Sequence, residues 1–248
     1  MACFPVLTRI QAIGFQSING EAKLRLLPTP WPADNQPPST SSLLSVASKN
    51  GLLAAAGPSS VIIFSTEDVR KGYFASVSGD SQTRELNPGL TLDIGFRISH
   101  VAFSTDEQYL VLSAEQGGGL AVYEVPSFKN GNAQPAFQIS TGGKSLRAVA
   151  PNPAPEKAEL VCLVSTEGEL MMANLSSRQL LAGPQGSILQ QGISCISWSP
   201  KGKQLVAGQG NGSCLQLTPE GEVKREVPRP PQIQGDHHGG SRSFLAYT

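Results

Sequence analysis

The segment from Ser140 to Ser145 has the composition of a phosphate-binding loop. It reads Ser-Thr-Gly-Gly-Lys-Ser, so that Lys144 directly follows Gly143 as it would in such a loop. The loop also needs a glycine five residues before Gly143, and Gln138 occupies that position. Because the sequence predicts no long helix after the segment to present its amino terminus to a phosphate, we expect no nucleotide site here.

Three glycines, Gly208, Gly210 and Gly212, follow the spacing of part of a dinucleotide-binding fingerprint. That fingerprint joins a strand to a helix, whose amino terminus faces the pyrophosphate. Here the glycines separate two short predicted strands, and the run Gly117–Gly119 has the same place in another part of the chain. We therefore predict tight turns at both places.

The chain has three histidines, and they limit the general bases available for catalysis. His100 lies inside a predicted strand, whereas His237 and His238 lie in a polar tail. A hydrolytic triad needs a base that an acid orients beside a nucleophile, and the neighbours of His100 in sequence suggest neither. We expect His100 to pack with its hydrogen bonds satisfied and the tail pair to belong to a solvated linker. We assign no catalytic residue.

The four cysteines are widely scattered, without a C-x-x-C pair and without a histidine at ligand spacing. They are Cys3, Cys162, Cys195 and Cys214. This pattern favours buried structural thiols over metal or redox use. We assign no metal site and no cofactor.

The composition indicates neither a nucleic-acid partner nor a membrane partner. Among 248 residues, Lys and Arg number 19 and Asp and Glu also number 19, so no overall field attracts a polyanion. Nowhere do the ~18 consecutive apolar residues of a spanning helix occur, and Pro5, Arg9 and Gln11 interrupt the N-terminal segment before it could act as a signal peptide. We expect a soluble protein of the cytosol or nucleus, with no direct nucleic-acid contact and no membrane insertion.

Four stretches of the chain resemble one another, and this repetition predicts the fold. The clearest pair begins at Ile98 and Ile193 and places Phe103 and Trp198, 95 residues apart, at matched positions. A third copy begins at Leu146 and has Pro151 at the matched position. A weaker first copy begins at Leu43 and has Ala47 there. We call these stretches repeats 1 to 4 in chain order. A period of ~40–50 residues made of short strands is typical of a β-propeller blade.

Strand alternation predicts how each blade meets its neighbour. Ile196 and Trp198 should share one face of a strand, with Cys195 and Ser197 on the other, so the aromatic residue would fill the space between adjacent blades. The sequence therefore predicts an all-β, WD40-like propeller.

Local signals refine this prediction. Asn50-Gly51 predicts a hairpin with a two-residue turn, in which both positions need positive φ. Residues 67–95 show no strong period and predict a long inter-blade loop with a short helix. Residues 222–227 predict an outer strand, after which the Pro-rich sequence ends regular structure.

The fourth repeat carries a more specific resemblance. From Ile193 to Gln232 it reads ISCISWSPKGKQLVAGQGNGSCLQLTPEGEVKREVPRPPQ. The run S-W-S-P-K-G-K-Q, the later G-x-x-N-G and the final P-R-P-P resemble the N-terminal propeller of the cytoplasmic-face nucleoporin of fungi and its animal counterpart. Repeats 1 and 2 resemble preceding blades of the same domain, and the resemblance covers residues 10–235.

The resemblance implies a function without chemistry. It implies a seven-bladed propeller at the cytoplasmic side of the nuclear pore complex, which docks the DEAD-box RNA helicase of messenger RNA export and associates with other nucleoporins. Two alternatives remain open at this point, namely a generic WD40-like interaction scaffold and a propeller hydrolase. No contact residue of the family is carried over, so the partner-binding residues are unassigned.

The chain departs from the family because it shows about four blades of a seven-bladed ring. We predict N-terminal strands in residues 1–27, a Pro-rich exposed loop in 28–42, an incomplete propeller of four blade-like repeats in 43–231, and a disordered or truncated tail in 232–248. An incomplete propeller leaves outward faces of its first and last blades without partners, which should lower its stability and favour association.

Overall fold

The computed structural model of the protein describes residues 24–27, 31–77, 84–184 and 186–228. Their strands form four four-stranded antiparallel sheets, one for each repeat. Sheet 1 has the order β2 (Leu44–Ala47), β3 (Leu52–Ala56), β4 (Ser60–Ser65) and β6 (Leu90–Asp93). Sheet 2 has the order β7 (Ile98–Phe103), β8 (Tyr109–Ala114), β9 (Leu120–Glu124) and β10 (Phe137–Ile139). Sheet 3 has the order β11 (Leu146–Pro151), β12 (Leu160–Ser165), β13 (Leu170–Asn174) and β14 (Gln179–Leu180). Sheet 4 has the order β15 (Ile193–Trp198), β16 (Leu205–Gln209), β17 (Cys214–Leu217) and β18 (Val223–Glu226).

Four further elements lie outside these sheets. Two short strands pair in parallel, and one α-helix and two 3-10 helices lie in connecting segments. They are β1 (Leu24–Arg25), β5 (Arg84–Glu85), α1 (Thr66–Val77), and the 3-10 helices Val125–Asn130 and Pro155–Lys157. No described helix is both long and apolar enough to cross a membrane.

The repeat alignment corresponds to a structural alignment. The first strand of each sheet ends at the matched position: β2 at Ala47, β7 at Phe103, β11 at Pro151 and β15 at Trp198. In the last three of these strands the pairing with the second strand also shifts at equivalent places, which are Ile98/His100, Leu146/Ala148 and Ile193/Cys195. A β-bulge that recurs at one position is a feature of the repeat unit.

The first hairpin of repeats 1, 2 and 4 contains a residue in the left-handed region at one equivalent position. These residues are Gly51, Glu107 and Gly202, with φ of 63°, 58° and 62°. The Asn50-Gly51 hairpin is confirmed, but its predicted turn is wrong. The loop has four residues, because Ala47 pairs with Leu52, and Gly51 has positive φ whereas Asn50 does not.

The prediction for residues 67–95 is partly wrong. Helix α1 is present, but it belongs to the connection between the third and fourth strands of sheet 1, since β6 pairs with β4. The segment is therefore an insertion within a sheet rather than a link between sheets. The weak alternation of Leu90 to Asp93 explains the error, because four residues with a single fully buried apolar side chain, Leu92, give little periodic signal.

The chain divides into two compact units. Unit 1 consists of residues 1–103, 107–115 and 121–136, and unit 2 of residues 104–106, 116–120 and 137–248. The core of unit 1 forms around apolar side chains of its strands, among them Ile63, Leu92, Val101, Phe103 and Leu112. A second cluster, Ala55, Ile62 and Phe64, is covered by the half-buried Leu26, Leu27 and Val69.

The core of unit 2 lies between sheets 3 and 4. Sheet 3 contributes Cys162, Leu170 and Met172, and sheet 4 contributes Leu205 and Leu217, all fully buried. Ile196 and Trp198 are half-buried and pack against the same cluster, so their predicted shared face is confirmed. Every residue of β12 is buried, whereas β15 buries only Ile193.

Several sequence-based predictions fall mainly outside the described residues. Within residues 1–27 the structure describes only 24–27, which contain β1. Residues 31–42 of the Pro-rich segment form turns and one parallel bridge, between Ser42 and His100. Arg97 holds this segment, since its guanidinium lies 5.4 Å from the ring centroid of Trp31. The tail 232–248, with His237 and His238, and Cys3 lie outside the described residues.

Candidate interaction surface

His100 is a buried structural residue, as predicted. It is 3% exposed, and its two ring nitrogens lie 3.0 Å from Ser99 Oγ and 3.1 Å from the backbone oxygen of Thr40. Ser113 Oγ lies 3.2 Å from Nδ1 and 2.7 Å from Ser99 Oγ. The imidazole thus links the chain before sheet 1 to the first two strands of sheet 2, and both of its nitrogens are engaged within the core.

The segment Ser140–Ser145 forms a turn between strands. Its lysine, Lys144, places Nζ 2.5 Å from Glu169 Oε2, and the residues that follow form β11 rather than a helix. The hydrogen bond from Lys144 to Glu169 is the main reason that the pKa of this ammonium is raised. Lys144 therefore joins the turn to the edge of sheet 3 through an ion pair.

The glycine runs form tight turns, as predicted. Gly212 has φ of 82° and donates its backbone N–H to the oxygen of Gln209 at 3.0 Å, between β16 and β17. Gly117, Gly118 and Gly119 also have positive φ between β8 and β9. Each run joins two strands of a sheet.

The prediction that the cysteines are buried is correct for one of the three described residues. Cys162 is fully buried in sheet 3, and burial raises its pKa well above the ordinary value. Cys214 is half-buried, and Cys195 is exposed. The physical reason is that Cys195 lies on the face of sheet 4 opposite Ile196, away from the unit 2 core. In the described part of the chain, no three His, Cys, Asp or Glu side chains converge as metal ligands.

This outer face of sheet 4 differs from the corresponding face of sheet 3. Ala148 and Ala150, which are equivalent to Cys195 and Ser197, pack against the cluster that includes sheet 4. Cys195, Ser197 and Val206 are instead exposed. Within the described residues, therefore, sheet 3 has both faces covered and sheet 4 has one.

A groove lies at the outer end of unit 2. We define its walls as residues 181–184 and 188–191 of the β14–β15 loop on one side and residues 220–223 of the β17–β18 turn on the other. It encloses about 940 Å³, within the range of ~300–1,000 Å³ that is usual for ligand sites. Sequence analysis missed this groove, because its two walls are distant in sequence and neither carries a recognisable motif.

Backbone pairing fixes the loop wall of the groove. Leu189 donates to the oxygen of Leu170 at 2.8 Å, and Leu170 donates to the oxygen of Gln190 at 2.9 Å. Leu181 donates to the oxygen of Met172 at 2.8 Å. Both ends of the loop are thus bonded to β13, and its apolar side chains Leu181 and Leu189 also pack against the unit 2 core.

A close approach joins the two walls. Gly221 has φ of 90°, is buried, and would place an added Cβ 2.5 Å from Leu189 Cδ1, so only glycine fits there. Gln190 Nε2 donates to the oxygen of Gly221 at 3.3 Å. The groove therefore has a fixed floor, in which the loop packs directly on the turn.

The rim of the groove carries two carboxylates. Glu220 Oε1 lies 2.6 Å from Lys157 Nζ, and this hydrogen bond holds the pKa of the Glu220 carboxyl below its usual range. Glu222 is exposed beside it, and no ion pair links Glu222 to another residue in the described part of the chain. Two carboxylates with one ammonium give the rim a net negative charge.

Comparison with known proteins agrees with the repeat analysis. Residues 37–245 match the family model of the NUP159/214 beta propeller. Nucleoporin NUP159 of Chaetomium thermophilum is 50% identical over 235 residues, which is 95% of this chain and 16% of that protein. Nuclear pore complex protein Nup214 of Homo sapiens is 29% identical over 87% of this chain and 10% of that protein. The chain thus spans well under a fifth of the length of these two relatives.

Solved structures share the fold at low sequence identity. The crystal structure of the N-terminal domain of Nup159 has a TM-score of 0.57 at 13% identity and covers 79% of this chain and 46% of its own. A Saccharomyces cerevisiae complex of Dbp5 bound to Nup159, Gle1, IP6 and ADP has a TM-score of 0.59 at 13% identity and covers 84% of this chain and 49% of its own. A Myceliophthora thermophila Cps50 (Swd1) beta-propeller domain scores 0.55, also at 13% identity.

The repeat positions, the four sheets and the family match over most of the chain lead to the same identification, which confirms the resemblance found in the sequence. This chain belongs to the NUP159/214 beta-propeller family.

Proposed function

We propose that this chain is an interaction module of the nuclear pore complex, at its cytoplasmic side, and docks the DEAD-box RNA helicase of messenger RNA export. It acts through surface loops and performs no chemistry. The observation that carries the proposal is the family match over residues 37–245. Its relatives are nucleoporins, and one solved structure with the same fold is a complex of Dbp5 bound to Nup159. Other nucleoporins are proposed as further partners.

The internal polar groups support a binding role. His100, the one described histidine, is engaged on both ring nitrogens, and Lys144 is paired with Glu169. These are the groups that sequence analysis singled out for chemistry, and each has a structural partner. The surface features of unit 2, by contrast, include a fixed groove and an exposed strand edge.

A second candidate is a WD40-like scaffold that binds a different protein. The fold similarity to the Cps50 (Swd1) propeller, at nearly the same TM-score, favours keeping it. Likeness at 13% identity concerns the fold and does not distinguish the two candidates, so the partner must be tested directly.

We also propose that the four sheets are four blades of a seven-bladed ring, within residues 43–231. Two observations support this. The chain covers 46% and 49% of the matched Nup159-related chains. The outer face of sheet 4 exposes Cys195, Ser197 and Val206, where the equivalent face of sheet 3 is packed. A further sheet on that face would cover them.

The docking test is isothermal titration of the 248-residue chain with the mRNA-export DEAD-box helicase of the same organism. We expect saturable binding, and we expect tighter binding by a longer version of the protein that contains the remaining proposed blades. A DEAD-box helicase of translation initiation serves as the matched control. Absence of binding by both versions, or equal binding of both helicases, contradicts the proposal.

A further inference from the structure

We propose that the groove of unit 2 binds an extended peptide segment that adds to the edge of sheet 4 and carries an apolar side chain with a basic side chain two residues from it. This site is separate from the proposed helicase docking. It rests on three features of the described residues: a free strand edge, an apolar cavity at the end of that edge, and a negatively charged rim.

The strand edge belongs to β18. This strand is last in the order of sheet 4 and pairs only with β17 among the described strands. All four of its residues are exposed. An edge strand presents backbone N–H and C=O groups that a second extended chain can pair with, and many peptide-binding domains use this mode.

The cavity begins where β18 begins. Val223 is the first residue of β18 and also lines the groove, opposite the loop residues Leu181, Pro184, Ile188 and Leu189. A peptide laid along the edge of β18 would therefore place one of its side chains against an apolar wall. Pockets for alternate side chains give specificity in this mode of recognition, while the backbone pairing gives affinity.

The walls need little rearrangement to accept such a peptide. The loop is bonded to β13 through Leu189 and Leu181, and Gln190 bonds to Gly221 across the floor. A preformed site avoids the cost of ordering a loop on binding. This distinguishes the groove from an exposed apolar patch that would have to fold around its partner.

The rim selects the charge of the partner. Lys157 neutralises Glu220 at 2.6 Å, so Glu222 supplies the remaining negative charge beside Val223. A basic side chain on the same face of the bound strand as the apolar one meets this carboxylate, because residues two apart point the same way in a strand. An acidic side chain there would be repelled.

The test uses the 248-residue chain and two fluorescein-labelled peptides, TVTLTRT and its reversed sequence TRTLTVT, to cover both strand directions. The control peptides replace Arg by Glu. We expect anisotropy titrations to show saturable binding of at least one Arg peptide, and binding weaker by about tenfold for its Glu counterpart. Absence of saturable binding by both Arg peptides at millimolar concentration overturns the proposal.

Protein variants locate the binding to the groove. We expect Glu222→Lys to weaken the Arg peptide by about tenfold and to strengthen the Glu peptide, and Ile188→Glu to weaken both. Glu156→Lys, an exposed charge reversal outside the groove, is the matched control and should change neither. Glu222→Gln, expected to weaken the Arg peptide by a smaller factor, replaces Glu222→Lys if circular dichroism shows that the latter misfolds. Equal binding by the Glu222 variants and the unmodified chain overturns the proposal.

Hydrogen exchange separates strand addition from simple filling of the cavity. If the peptide pairs with β18, amide exchange in residues 223–226 should slow when the peptide is bound, with no change in β12, whose residues are all buried. Binding that leaves residues 223–226 unprotected excludes the strand-addition mode and overturns the proposal.

Discussion

The indole Nε1 of Trp198 donates a hydrogen bond to the backbone oxygen of Ala150 at 3.0 Å, and so joins the first strand of sheet 4 to the first strand of sheet 3. The equivalent position in sheet 2 makes a corresponding link in unit 1. There the backbone N–H of Phe103 donates to Ser45 Oγ at 3.1 Å, which joins β7 to β2. The residue that ends each first strand thus connects a sheet to the preceding one by packing and by a hydrogen bond.

Removal of this bond should destabilise the protein measurably. Trp198→Phe keeps an aromatic ring against the unit 2 core but leaves the oxygen of Ala150 without its indole donor, so we expect a loss of about 1 kcal/mol in the free energy of unfolding. Urea denaturation followed by far-UV circular dichroism measures it. Val206→Ala, at an exposed position of the same sheet, should stay within about 0.5 kcal/mol. Equal stability of Trp198→Phe and the unmodified chain would contradict the structural role.

This link shows which parts of the fold sequence reasoning could reach. The matched positions of Phe103 and Trp198 were sufficient to predict the repeats and the shared face of Ile196 and Trp198, because alternation and period are local properties of a strand. Neither the hydrogen bond to Ala150 nor the exposure of Cys195 could be predicted in the same way. Both depend on which sheet covers which face, and a single sequence carries no signal for that.

The same limit applies to the candidate site. Leu189 and Gly221 form the floor of the groove from positions 32 residues apart, and a lone glycine in a turn predicts only the turn. The requirement for glycine there comes from a side chain of another strand connection. Sequence analysis therefore assigned no binding residue, whereas the structure defines a groove by this contact.

Gly202 provides a sharp test of the repeated hairpin geometry. It has φ of 62°, and an added Cβ would lie 2.7 Å from Ala154 Cβ and 2.9 Å from the backbone nitrogen of Ala154, in the connection that follows β11. Its backbone oxygen also accepts a hydrogen bond from Asn152 Nδ2 at 2.9 Å. We expect Gly202→Ala to lower the free energy of unfolding by about 2–3 kcal/mol, from the strained φ and from overpacking.

Gly210 is the matched control for this substitution. It lies in the next turn of the same sheet, its φ is outside the left-handed region, and an added Cβ would meet no atom within 4 Å. Gly210→Ala should therefore change stability by less than about 0.5 kcal/mol or raise it slightly. If urea midpoints show the two alanine variants to be equally stable, the packing of Gly202 against Ala154 is wrong.

Glu107 should be important for unit 1, although it lies in a turn. Its carboxylate accepts the backbone N–H groups of Lys49 and Asn50 at 3.0 and 2.8 Å, and the side chain is 7% exposed. Glu107→Ala leaves two backbone donors without this acceptor, and we expect a loss of about 2–3 kcal/mol in the free energy of unfolding. Glu124→Ala, exposed in the same unit, is the control and should be nearly neutral. A thermal-shift comparison that ranks the two variants equally would count against the link.

The cysteines should differ in reactivity by environment. Burial raises the pKa of Cys162, so its thiol should stay protonated and unreactive in the folded protein, while the exposed Cys195 reacts readily. In a Cys3→Ser background, titration with Ellman's reagent at pH 8 should give a fast phase that Cys195→Ser removes. Release of the Cys162 thiol should require denaturant. Fast labelling of Cys162 in the folded chain, detected by peptide mass mapping, would refute its placement in the core.

The ion pair between Lys157 and Glu220 predicts a pH window for stability. Folding lowers the pKa of Glu220 and raises the pKa of Lys157, mainly through their mutual hydrogen bond. The contribution of Glu220 is present above its unfolded pKa near 4.5 and is lost as pH falls through the lower folded value. The contribution of Lys157 is complete below its unfolded pKa near 10.5 and is lost as pH rises through the higher folded value.

The pair should thus stabilise the protein most between about pH 5 and pH 10. Because the two side chains are 40% and 46% exposed, solvent screening limits the effect to less than about 1 kcal/mol. Glu220→Gln should therefore be slightly less stable than the unmodified chain at pH 7 and indistinguishable from it at pH 3, and 1 M NaCl should reduce the difference at pH 7. A difference that persists unchanged at pH 3 would show that Glu220 stabilises the turn without its charge.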